Sequence, residues 1–127
     1  MGAVQVTEKN FESIIAKGVV VLDFWAAWCG PCRAFAPVFE AAAARHPDVV
    51  FGKIDTDAER GLAAAFQIRA IPTLAVLRDG VALMVQPGMV SAAALDEIVA
   101  KVKAIDMDEV RRKIGKPTVP APSASHG

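Results

Sequence analysis

The chain has 127 residues, 54% of them hydrophobic, and its fourteen Lys and Arg balance fourteen Asp and Glu. That length supports one compact core and hence one main domain, and an even charge balance with no long basic run argues against nucleic acid or an anionic membrane as partner. No apolar run approaches the ~20 residues of a membrane-spanning helix, and the first residues lack the charged and apolar regions of a secretory signal, so a cytoplasmic protein is expected.

In chain order, residues 4–6 read as a short strand. Thr7 is placed to cap a helix with Phe11, Ile14 and Ile15 on its inner face, Val6 and Phe11 forming a hydrophobic staple and Gly18 ending it. Residues 19–25 form an apolar run interrupted by Asp23 alone. Without polar alternation such a run reads as a strand buried on both faces, in the middle of a sheet covered by helices. Residues 33–45 have helical periodicity, with Phe35, Val38, Phe39 and Ala42 inward; Pro37 is expected to kink this helix and Pro47 ends it.

Residues 49–54 are the next strand. Thr56-Asp57-Ala58-Glu59 reads as a capping box for a helix with Leu62, Ala65 and Phe66 on its inner face. A strand follows Ile71-Pro72-Thr73 as far as Arg78, Asp79-Gly80 makes a two-residue hairpin turn, and residues 81–86 return antiparallel. Ser91 caps a helix whose stripe is Leu95, Ile98, Val99, Val102 and Ile105. Strands joined by helices call for a parallel sheet with right-handed crossovers, and the hairpin adds an antiparallel edge.

Both cysteines of the chain lie in Trp28-Cys29-Gly30-Pro31-Cys32, at the junction of the buried strand and the following helix. At a helix start the unpaired backbone N–H groups and the positive end of the macrodipole favour a thiolate over a thiol. Cys29 is therefore the expected nucleophile and the more exposed sulfur. Cys32, three residues on, shares its helix face and can close a small disulfide; Pro31 pre-sets the helical φ and Gly30 leaves room. A zinc site needs four ligands, and beyond this pair there are only His46, read as a helix C-terminal cation, and His126, in the tail. A bridge this short contributes little as a structural crosslink, so redox exchange is the chemistry to expect, with no metal and no cofactor. Asp23, desolvated in the buried strand, is expected to titrate well above an ordinary carboxyl and to accept the proton of Cys32. Arg33 is read as a charge favouring thiolate or partners, with a solvated helix face as the alternative.

Asp23-Phe24-Trp25-Ala26 leading into the Cys29-Gly30-Pro31-Cys32 motif, then Lys53-Ile54-Asp55, Ile71-Pro72-Thr73, Asp79-Gly80 and Gly88, occur in the order and spacing of a thioredoxin. The chain resembles that family over residues 4–103. The resemblance implies an α/β thioredoxin fold with a mixed, mostly parallel five-stranded sheet flanked by helices. It implies a cis proline at Pro72, which leaves the backbone of Ile71 free for an extended substrate, and a semi-buried lysine at Lys53 near the buried carboxylate. It also implies a shallow substrate groove of Trp28, Gly30, Pro31, Ala70, Ile71, Pro72, Pro87 and Gly88, with Trp25 in the core. Pro87 departs from the small aliphatic residue usual before that glycine and removes a backbone donor there.

The function implied is general protein-disulfide reduction by a monomer, with disulfide-bearing proteins as substrates and thioredoxin reductase restoring the dithiol. The alternative is a binding or chaperone module that uses the groove or the extra helix without redox turnover. Residues 1–105 form the expected domain. Residues 106–115 read as a short helix capped by Asp106, with Glu109 at N3 and Met107, Val110 and Ile114 apolar; residues 116–127, rich in Pro, Ser and Ala, read as a disordered tail.

Overall fold

The computed structural model describes residues 2–114. Its central strand is β2 (Val19–Trp25), in which Val20 to Phe24 are all buried. Alternation along β2 feeds two separate cores. Val20, Leu22 and Phe24 pack with Val6, Ile54 and Leu77 under helices α1 (Phe11–Ile15) and α3 (Arg60–Ala65). Val21 turns the other way, toward Phe35 and Phe39 of α2 (Gly30–Arg45) and Leu95 and Val99 of α4 (Ala92–Ala104). Asp23 follows Val21 in that alternation and so lies on the α2 side of the sheet.

The five strands are ordered β1-β3-β2-β4-β5, where β1 is Val4–Gln5, β3 Val50–Asp55, β4 Thr73–Arg78 and β5 Val81–Pro87. Strands β1 and β2 both run parallel to β3, and β4 is antiparallel to β2 as well as to β5. The sequence pattern placed the first antiparallel pairing only at the hairpin, and connector length explains the difference. Helix α2, with 16 residues, spans roughly 24 Å, enough to carry the chain back along the sheet between β2 and β3. Helix α3, with 6 residues, spans roughly 9 Å against the ~20 Å of β3. The chain therefore re-enters the sheet at the end where it left, and β4 runs backwards. Asp79 (φ 54°) and Gly80 (φ 80°) form the expected hairpin turn, both in the left-handed region.

Two predicted caps move. Thr7 and Asn10 bind each other, the Asn10 side chain accepting from Thr7 N–H at 2.8 Å and the Thr7 hydroxyl from Asn10 N–H at 3.4 Å, so α1 starts only at Phe11. In the turn before α3 the Asp55 carboxylate accepts from the N–H groups of Asp57 and Ala58 at 2.9 and 3.3 Å, and the N-cap of α3 itself is Glu59, without a side-chain cap. The Thr56 hydroxyl instead donates to the Trp25 carbonyl at 3.1 Å. Ser91 caps α4 as expected, accepting from Ala94 N–H at 3.1 Å. Helix α2 is continuous through Pro37.

At the far end of the sheet the Arg78 guanidinium donates to the carbonyls of Val102, Lys103 and Ile105, at 2.9, 3.1 and 2.9 Å, and satisfies the C-terminal end of α4. Helix α5 (Met107–Ile114) follows, with Asp106 accepting from the N–H groups of Asp108 and Glu109 at 3.0 and 3.2 Å. Met107 is buried, and Arg111 reaches Asp79 of the hairpin turn at 3.6 Å. The tail expected at 116–127, and His126 within it, lies outside the described residues.

Candidate active site

Strand β2 delivers the chain to α2, and the cysteine pair sits at that junction. Cys29 is the N-cap of α2, in extended conformation, and its Sγ accepts from the N–H of Cys32 at 3.2 Å; Gly30 and Pro31 are the first helical residues. The sulfurs are joined as a disulfide, with the two Cα atoms 5.2 Å apart. Cys29 and Cys32 are 4% and 3% exposed, so the expected difference in exposure is not there. What distinguishes the sulfurs is the hydrogen bond: a backbone donor points at Cys29 Sγ and stabilises charge on that atom.

Three further segments surround the pair. Trp28 is 69% exposed, and its indole N–H donates to the Asp57 carboxylate at 2.9 Å, which fixes the ring across the loop that follows β3. Sequence reasoning missed this contact, because Asp57 had a local explanation as part of a cap. Arg33 donates from Nη1 to the Ala27 carbonyl at 2.9 Å, bracing the loop before Cys29. The peptide bond between Ile71 and Pro72 is cis, and the Ile71 carbonyl oxygen lies 3.7 Å from Cys29 Sγ. Among the described residues the Ile71 N–H has no hydrogen-bond partner. The Thr73 hydroxyl donates to the Ala70 carbonyl at 2.5 Å, and Gly88 (φ 90°) donates its N–H to the Pro72 carbonyl at 2.8 Å.

These contacts divide the groove expected from sequence. Trp28, Ala70 and Ile71 line a depression of about 200 Å³ with Thr56, Ala63, Ile68 and Arg69. Pro87 and Gly88 are exposed on the other side of Pro72, Pro87 lying opposite Thr73 in the ladder.

In β2, on the α2 side of the sheet, Asp23 is 1% exposed and neither carboxylate oxygen has a hydrogen-bond partner. Burial raises its pKa from 3.8 to about 6, against a downward pull from Lys53. Lys53 is the register partner of Asp23 on β3, and its Nζ sits 4.9 Å from the centroid of the Trp25 ring. Trp25 is half-buried, and its indole nitrogen is likewise buried without a partner. Among the described residues no cluster of His, Cys, Asp and Glu is arranged to hold a metal ion, and no helix is long and apolar enough to cross a membrane.

A disulfide at the N-terminus of a helix, beside a cis proline, defines a dithiol–disulfide exchange protein. The thioredoxin family profile matches residues 2–111. A protein of Streptomyces coelicolor carrying the name thioredoxin 2 is 46% identical over 114 residues, covering 89% of this chain and 85% of its own length. The thioredoxin of Chlamydia trachomatis is 38% identical, over 76% of this chain and 94% of its own. In three dimensions a mutant thioredoxin of Halobacterium salinarum superposes with a TM-score of 0.76 at 30% identity, over 83% of this chain and 94% of that one. Chloroplastic thioredoxin z gives 0.74 at 29% identity, over 83% and 97%. The chain belongs to the thioredoxin family, and with the family's cysteine pair in place it is a thiol–disulfide oxidoreductase with protein-disulfide reductase activity.

Proposed function

We propose that Cys29 is the attacking thiolate and Cys32 the resolving thiol, and the observation that carries this assignment is the Cys32 N–H aimed at Cys29 Sγ. In the reduced protein the Cys29 thiolate attacks one sulfur of a substrate disulfide. A bond forms between Cys29 and that sulfur, and the other substrate sulfur leaves as a thiolate. Cys32 then loses its proton and attacks Cys29 Sγ, which closes the bond between Cys29 and Cys32 and releases the second substrate thiolate. Two electrons have passed to the substrate.

Asp23 is the acceptor for the Cys32 proton. Its placement under α2 and its titration near 6 suit it to take a proton at neutral pH and return it. Lys53 keeps that carboxyl from rising further. Trp28, Gly30, Pro31, Ala70, Ile71, Pro72, Pro87 and Gly88 form the substrate surface, on which the unpaired Ile71 N–H is available to an extended chain. Family membership supports disulfide-bearing proteins as substrates and a thioredoxin reductase as the source of electrons, with no cofactor bound to the chain itself; a cytoplasmic monomer completes the reading.

The test compares wild type, Cys29→Ser, Cys32→Ser and the double variant in a protein-disulfide turnover assay. Cys29→Ser is expected to be inactive, and Cys32→Ser to accumulate a covalent complex with substrate. Mixed disulfides forming on Cys32 in the Cys29→Ser protein, at the rate of the converse variant, would reverse the assignment.

A further inference from the structure

The depression beside the disulfide has one charged lining residue, Arg69. Its side chain is exposed, and it makes no hydrogen bond or ion pair with any described residue. Two other cations are engaged elsewhere: Arg33 holds the Ala27 carbonyl and Lys53 lies over the Trp25 ring. On the Trp28 side a carboxylate, Asp57, is bound to the indole of that lining residue. The two flanks of the depression therefore differ in sign, with a free cation on the Ile71 side and an anion behind Trp28.

We propose that Arg69 is a specificity-determining residue that favours protein disulfides flanked by Asp or Glu. The inference rests on the reading that substrate chains lie along Ile71. A segment paired with that backbone passes within two positions of Arg69, where strand spacing of ~3.3 Å per residue brings a carboxylate near the attacked cysteine into reach of the guanidinium. A carboxylate on the opposite flank would meet Asp57 instead, so the charges fix the direction of the bound chain as well as its composition. The pair forms at the surface, so the selectivity is a few-fold and sensitive to salt.

Three disulfide peptides that differ only in an Asp, Asn or Lys next to one cysteine test this, with wild type, Arg69→Lys, Arg69→Gln and Arg69→Glu. In wild type kcat/KM is expected to rank Asp over Asn over Lys, with about a fivefold step from Asn to Asp, carried by KM and lost in about 1 M salt. Arg69→Lys should keep the ranking, Arg69→Gln flatten it and Arg69→Glu reverse it. The same ranking in wild type and Arg69→Glu, with all three peptides reduced, would overturn the role of Arg69 and leave the reductase reading intact. Failure of wild type to reduce any of the peptides would overturn both.

Discussion

The two ends of β4 treat their polar groups in opposite ways. At the hairpin end Arg78 reaches three carbonyls of the α4 terminus, one of which, that of Val102, also accepts from the Ile105 N–H, and Asp79 is met by Arg111. At the disulfide end the Asp23 carboxylate, the Trp25 indole N–H and the Ile71 N–H lack partners among the described residues. An unpaired buried polar group costs stability, of order 1–3 kcal/mol. Two of these groups, the Asp23 carboxylate and the Trp25 indole, are buried, so the disulfide end is where the molecule gives up stability, and the proposed mechanism uses the first of them and the Ile71 N–H.

That contrast is most easily broken at Asp23. Holding a carboxyl at about 6 in the folded protein against 3.8 unfolded gives stability that is complete below pH 3.8 and lost as pH rises through 6, about 3 kcal/mol in all. Asp23→Asn should therefore be more stable than wild type by up to about 3 kcal/mol at pH 7, with the gain vanishing toward pH 4, while resolution of the mixed disulfide slows. Denaturant unfolding at the two pH values checks the sign; a loss of stability at pH 7 would mean that the carboxylate is held as an anion.

At the opposite end, Arg78→Met should cost about 2 kcal/mol, because it takes the donor from the Lys103 and Ile105 carbonyls and one of two from that of Val102, and leave disulfide turnover as in wild type. Unfolding together with a turnover assay separates the two readouts, and a parallel loss of activity would show that the ends are coupled. Lys53→Met sharpens the picture at the active end with a smaller effect. Removing the cation lets the Asp23 carboxyl titrate above 6, which NMR of its carboxyl carbon would show, and moves the pH midpoint of the resolving step the same way. The smallest effect belongs to Arg111→Ala. Both of its carboxylate contacts are at the exposed surface, so Tm by calorimetry should stay that of wild type.

Sequence made the strands legible because burial leaves runs of apolar residues, and Asp23 stood out as the one charge in such a run. The cysteine pair was legible for the same local reason, its spacing and its place before a helix. Strand direction was not, since periodicity is the same whichever way a strand runs; only the length of α3 carried that information. The caps at Thr7 and Thr56 were misplaced because Asn10 and Asp55 offer competing side chains within a few residues. The links from Trp28 to Asp57 and from Arg78 to the end of α4 join residues distant in sequence, and nothing local announces them.

The reversed course of β4 decides which parts of the chain meet at the disulfide. Because β4 runs against β2, its beginning, residues 70–72, stands beside Cys29, together with the ends of β2, β3 and β5. Had α3 been long enough to make β4 parallel, the Asp79-Gly80 turn would occupy that position and the cis proline would lie at the opposite end. The working surface is thus assembled from four separate loops, each anchored to its own strand. A change in one of them, such as the departure at Pro87, can retune a single wall of the surface while the cysteine pair and the other walls keep their geometry. Descent can in this way vary the choice of client protein without reopening the chemistry.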